Sequence, residues 1–185
     1  MKKEVRMFLI AGFVFTCIAG TVLHFVYDWS GQNPVAGLFA PINESVWEHL
    51  KLLFFPAAIW AVLGKLFIKD REPGILAACT AGILAGLLFI VSFFYTYSGI
   101  LGTNWLPLDL LTFFGGVLTA FLTAGKRLNK RANGKRARDK TALFFLLLFA
   151  FVFFLFTYWP PPLGVFVDYS LLKTGCVICP NLLKS

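Results

Sequence analysis

Residues 41–51 read Pro41-Ile42-Asn43-Glu44-Ser45-Val46-Trp47-Glu48-His49-Leu50-Lys51, which places two carboxylates, an imidazole, an amine and an indole in one short stretch. Glu44 and Glu48 are four residues apart and share a helical face, with Lys51 three further on. His49 sits about 100° round the helix from Glu48. A second imidazole, His24, and a further carboxylate, Asp109, lie in other apolar segments. Two imidazoles with carboxylates suit a divalent metal, with His24, Glu44, Glu48 and His49 as its ligands. The same groups suit acid–base catalysis, with Glu48 and His49 as the working pair. No HExxH is present, which excludes the zinc-protease pattern. A plainer reading stays open beside these. In it Glu44 and Glu48 serve a helix start, Lys51 pairs with Glu48, and both histidines are interfacial.

The elements that must position these groups are membrane spans. Of 185 residues, 58% are hydrophobic and 14% charged. A soluble domain carries about 25% charged residues, so this composition speaks for an integral membrane protein. Apolar runs near the roughly 20 residues that cross a bilayer occur at 7–26, 44–68, 75–97, 106–124 and 141–158. The expected fold is all-α: a polytopic transmembrane bundle of five spans in a single integral membrane domain, 1–185. The segment 159–185 is too short and too broken by proline for another full span. The first run has a basic start, yet it is long and lacks a small-residue cleavage site, so no cleavable signal peptide is expected.

Within the first span Gly12, Thr16, Gly20 and His24 recur every fourth residue, and small residues at that spacing let helices approach closely. His24 therefore faces protein near the far interface. Residues 27–42 are rich in turn formers and read as a loop. Ser45 with Glu48 fits a capping box for the second span, and Pro56 within it predicts one kinked helix rather than two elements. The third span repeats small residues at Ala77, Ala81 and Ala85 and at Ala78, Gly82 and Gly86, so both faces can pack. Pro107 opens the fourth span, where proline costs little. The fifth span is Phe- and Leu-rich without a small-residue stripe and faces lipid over much of its surface.

Charge sets the expected orientation. The N-terminus and the loops 65–72 and 125–140 fall on one side and hold fourteen of the seventeen Lys and Arg. The other side holds only Lys51, Lys173 and Lys184. The positive-inside rule places the N-terminus in the cytoplasm and the C-terminus outside. The net charge of +8 is thus a topology signal and not a nucleic-acid footprint. The basic segment 126–140 also suits anionic lipid headgroups. Both histidines, all five tyrosines and five of nine acids fall on the outer side. That gathering places a polar pocket in the outer leaflet. Besides the residues already named, Tyr27, Trp29, Asn43, Trp47, Lys51, Tyr95 and Tyr97 are candidates to line it. Asp168 and Tyr169, after Pro160-Pro161-Pro162, could cover it. Cys176 and Cys179 form a CxxC where oxidation is permitted, but Cys17 and Cys79 are not placed to relay electrons to it.

Leu23-His24-Phe25 with Tyr27 and Trp29, then Asn43 to Lys51 and Phe54-Phe55-Pro56, resembles a family of small bacterial integral membrane proteins catalogued as a domain of unknown function. The likeness extends over Tyr95-Thr96-Tyr97-Ser98-Gly99 and the turn from Thr157 to Pro162, but not to the CVICP tail. It implies the multi-span fold and supplies no activity. Three functional expectations follow from the residues: a pocket for a small molecule, lipid headgroup or divalent metal; an enzyme acting on a lipid-like substrate; or a transporter or subunit of a membrane complex. The inner halves of the spans are almost devoid of polar residues and no internal repeat is present, which argues against a transport path.

Overall fold

A computed structural model describes residues 2–68, 74–131 and 139–168. Among these residues the fold is all-helical, without strands. Helix α1 runs Lys3–Trp29, α2 Pro34–Phe39, α3 Val46–Phe67, α4 Ile75–Leu101, α5 Leu106–Arg131 and α6 Asp139–Tyr158, before a 3-10 turn at Gly164–Phe166. All but α2 are long and apolar enough to cross a membrane, as the hydropathy pattern predicts. The CxxC at 176–179 and Tyr169 lie outside the described residues.

Close approach through small residues holds the bundle together. In a membrane, burial of apolar surface against lipid gives no drive, so van der Waals fit decides. Helices α4 and α5 form the most extensive pair. A Cβ on Gly82 would collide with the Ala120 carbonyl oxygen, and one on Gly86 would come 2.7 Å from that of Gly116. The α1 stripe packs likewise: Gly12 lies against Trp60 and Phe121, and Gly20 against the Leu52 carbonyl and Phe113. Trp60, deep in α3, donates its indole N–H to the Phe8 carbonyl at 3.1 Å and stacks on Phe8 and Phe15. That bond explains a tryptophan far from either interface. On α6 only Ala142, Leu146, Phe153 and Thr157 are buried, and Phe144, Leu147 and Phe151 are among those exposed.

Several boundaries differ from the sequence reading. Helix α1 continues through Tyr27 to Trp29, and the supposed loop that follows contains α2. Asn33 caps α2 by accepting from the Val35 N–H at 2.8 Å, and Pro34 occupies its first turn; Asn-Pro is a helix-start signal rather than a turn here. Helix α5 runs seven residues past 124, through Gly125 into Lys126 and Arg127, because bases favour a helix C-terminus. Helix α4 extends to Leu101, where Gly102 adopts the left-handed conformation at φ 69° and ends it. Pro56 lies inside an uninterrupted α3.

Candidate functional site

The segment between α1 and α3 folds back on a buried ion pair. Ser45 caps α3, accepting from the Glu48 N–H at 3.3 Å. The reciprocal half of the expected capping box is not made, because the Ser45 N–H donates to Asn43 Oδ1. The Glu48 carboxylate turns inward instead. Its Oε2 accepts from the Ile42 N–H at 3.0 Å and from Lys51 Nζ at 2.7 Å. Lys51 donates further to the Gly37 and Ala40 carbonyls at 2.8 and 3.4 Å. These belong to the C-terminal end of α2, whose orphan carbonyls a cation satisfies well. The Thr157 hydroxyl of α6, which donates to the Phe153 carbonyl at 2.8 Å, also lies 3.4 Å from the other Glu48 oxygen. Lys51 and Glu48 therefore fasten α2 to α3 and α6, with side chains 0% and 3% exposed.

Releasing Glu48 inward leaves Glu44 and His49 on the opposite side of the α3 start. Glu44 precedes the helix, so its direction is set by the bend at 42–44 and not by helical spacing. Glu44 Oε2 lies 3.4 Å from His49 Nε2. His49 Nδ1 lies 2.9 Å from the Ser45 carbonyl oxygen. A carbonyl only accepts, so Nδ1 carries the proton, and in a neutral ring Nε2 is a lone pair aimed at a carboxylate. His24 approaches from α1, its ring centroid 5.2 Å from that of His49. Its Nδ1 is buried with no hydrogen-bond partner among the described residues. One ligand atom from each of His24, Glu44 and His49 lies within 4.8 Å of the other two.

These three groups stand at the rim of a cleft of about 470 Å³. Its walls come from the Trp29 end of α1 (Thr21, His24, Phe25), the start of α3 (Val46, His49, Leu52), the end of α4 (Ile90, Phe94) and the start of α5 (Leu106, Asp109, Leu110, Thr112, Phe113), with Asn104 before it. At Gly20, one turn from His24, α1 closes against the Leu52 carbonyl of α3 and the Phe113 ring of α5. Asp109 accepts a short hydrogen bond from the Tyr97 hydroxyl. The Thr21 and Thr112 hydroxyls donate to the Cys17 and Leu108 carbonyls at 2.8 and 2.7 Å, so neither offers its proton to the cleft.

Of the candidates read from the sequence, His24, Glu44, His49 and Asp109 line the cleft, and Tyr97 stands behind Asp109. Glu48 and Lys51 do not; each is consumed by the other. Asn43 is spent on the Ser45 N–H. Trp47 points toward α6, its indole 4.7 Å from the Phe153 ring and 4.9 Å from Phe166. Tyr27 lies beside Gly37 of α2. Tyr95 and Trp29 lie off the cleft wall, with Trp29 stacked behind Phe25 at 5.7 Å. Asp168 bridges by its backbone to Ser45. Many of the lining residues missed from sequence stand at helical spacing from those found: Thr21 beside His24, Val46 and Leu52 beside His49, Leu106, Thr112 and Phe113 beside Asp109.

The profile of a family described as a family of unknown function, DUF6512, matches residues 1–176. The chain belongs to that family. No curated protein and no solved structure matches it. Membership accords with a multi-pass membrane protein and assigns the cleft no activity, so for this member of the family the chemistry rests on the geometry above.

Proposed function

We propose that this protein sits in the cytoplasmic membrane with its N-terminus inside and holds a divalent transition-metal ion between His24, Glu44 and His49 in the extracytoplasmic leaflet. The observation that carries the reading is the face-to-face placement of His49 Nε2 and Glu44 Oε2 at 3.4 Å. Two acceptors at that distance repel unless a cation or a proton lies between them. Ligand atoms bound at about 2.0–2.1 Å round one tetrahedral ion lie roughly 3.3 Å apart. The His49–Glu44 pair already has that separation, and small rotations about the side-chain torsions bring His24 to it from within 4.8 Å. The Ser45 carbonyl on Nδ1 supports the same reading, since such a partner fixes the ring and tautomer of a ligating histidine. Two imidazoles and a carboxylate are a ligand set for zinc, iron or manganese. The clustering of bases at the other end of the spans supports the orientation.

Three protein ligands leave coordination positions for an outside oxygen, as in catalytic rather than closed structural sites. Metal analysis of the purified full chain tests the proposal. Wild type should retain about one zinc or equivalent ion per chain after dialysis, and His24→Ala, Glu44→Gln and His49→Ala should each lose it. Equal metal in wild type and His49→Ala would overturn it.

A further inference from the structure

We infer that the cleft receives one hydrocarbon chain from the bilayer, with a carboxylate head on the metal held by His24, Glu44 and His49. The inference rests on the metal reading and adds the ligand. Shape comes first. A cleft of about 470 Å³ lies within the roughly 300–1,000 Å³ of small-molecule sites. Its floor is hydrocarbon, formed by Leu52, Ile90 and Phe113. Its rim carries Phe25, Leu106 and Leu110 at 45%, 68% and 49% exposure. Exposed apolar residues on membrane-spanning helices are placed to meet lipid tails, which favours an opening toward the bilayer.

The polar end selects the head. Thr21 and Thr112 have spent their protons on helix carbonyls, and Glu44 and Asp109 are acceptors. His49 has spent its Nδ1 proton on Ser45. The described lining holds no Lys or Arg, so the positive charge that an anionic head needs is the metal's. A divalent ion less the Glu44 charge leaves one positive charge. A carboxylate neutralises it with one negative charge. Asp109 on the same wall repels either head, and a phosphate monoester, at about −1.5 to −2 near neutral pH, carries the larger excess. Charge balance thus favours a long-chain carboxylic acid over a lysophospholipid acid, and the apolar floor favours it over a short, water-soluble one.

The test uses the full chain in detergent, loaded with zinc, and measures retained radiolabelled palmitate. Palmitate should bind at about one per zinc, with acetate and hexadecanol weaker by at least about ten-fold, since one forfeits the buried methylenes and the other the charged head. Chelation of the zinc should release it. Leu106→Trp and Leu110→Trp, which narrow the lipid-facing mouth without touching a metal ligand, should lose palmitate and keep zinc. Zinc retention in these variants also reports that they fold. Palmitate retention that ignores chelation, or that both Trp variants leave unchanged, overturns the inference while the metal reading stands. Tighter binding of palmitoyl lysophosphatidic acid overturns the carboxylate assignment. Absence of zinc from wild type overturns the metal reading and this inference with it.

Discussion

Lys51 Nζ lies 2.7 Å from Glu48 Oε2, and the Lys51 side chain is wholly shielded from solvent. Its remaining protons go to the Gly37 and Ala40 carbonyls, so the pair is satisfied on both sides and anchors α2 over the end of the bundle. A buried pair with these partners contributes position rather than reactivity.

Breaking it from one side should therefore destabilise strongly. Lys51→Met leaves a buried carboxylate without its cation, and Glu48→Gln leaves a buried ammonium without its anion; each should cost about 3–5 kcal/mol. The double variant Glu48→Leu/Lys51→Met should recover much of that loss, because no uncompensated charge remains. Unfolding of the three variants in detergent, followed by circular dichroism against denaturant, checks the pattern. A double variant no better than the singles would contradict it.

The two glutamates should separate by role. Glu44→Gln removes the charged oxygen 3.4 Å from His49 Nε2, and should weaken zinc binding by more than about 100-fold, beyond the scale of outer-shell changes. Glu48→Gln should leave the zinc content of the folded fraction unchanged while lowering its stability. Zinc titration of the folded fraction beside a thermal melt distinguishes them. The opposite pattern, stability lost in Glu44→Gln and zinc lost in Glu48→Gln, would reverse the assignment of the two residues.

Why spacing did not separate these glutamates is instructive. The five spans were legible because hydropathy and bilayer thickness depend only on composition along a run. The pairing of Lys51 with Glu48 was legible from their i,i+3 spacing. The shared face for Glu44 and Glu48 assumed that both lie in the helix. Glu44 precedes the Ser45 cap, where the backbone is bent, and its carboxylate meets His49 at the cleft while that of Glu48 meets Lys51. Helix α2 escaped notice because six residues give too short a period to read, and its Asn33-Pro34 start also signals a turn. Trp47 was a candidate for the pocket by proximity in sequence. Its burial against Phe153 and Phe166 depends on the return of residues 159–168, which no local pattern announces.

The proposed orientation has a direct test. Asn129 and Trp159 are both exposed, at opposite ends of the bundle. With native cysteines replaced by serine, Trp159→Cys should react with a membrane-impermeant maleimide in intact cells. Asn129→Cys should react only after permeabilisation. Labelling in the reverse order would invert the topology and move the cleft to the cytoplasmic leaflet.

Gly20 couples the packing of the bundle to the site. A Cβ there would come 2.5 Å from the Leu52 carbonyl oxygen and 2.6 Å from the Phe113 ring. The phenyl ring can swing, but the carbonyl is part of α3 and cannot. Gly20→Ala must therefore push α1 away from α3, at a cost of about 1–3 kcal/mol for an overpacked contact. His24 lies one turn above Gly20 on the same face, so the displacement carries its imidazole away from His49 and Glu44. Zinc affinity should fall even though no ligand has changed. Gly99→Ala, where the added methyl meets nothing within 4 Å, serves as the control and should leave both stability and zinc binding near wild type. If Gly20→Ala loses stability but binds zinc as wild type does, the α1–α3 approach sets the fold without setting the distance between the histidines.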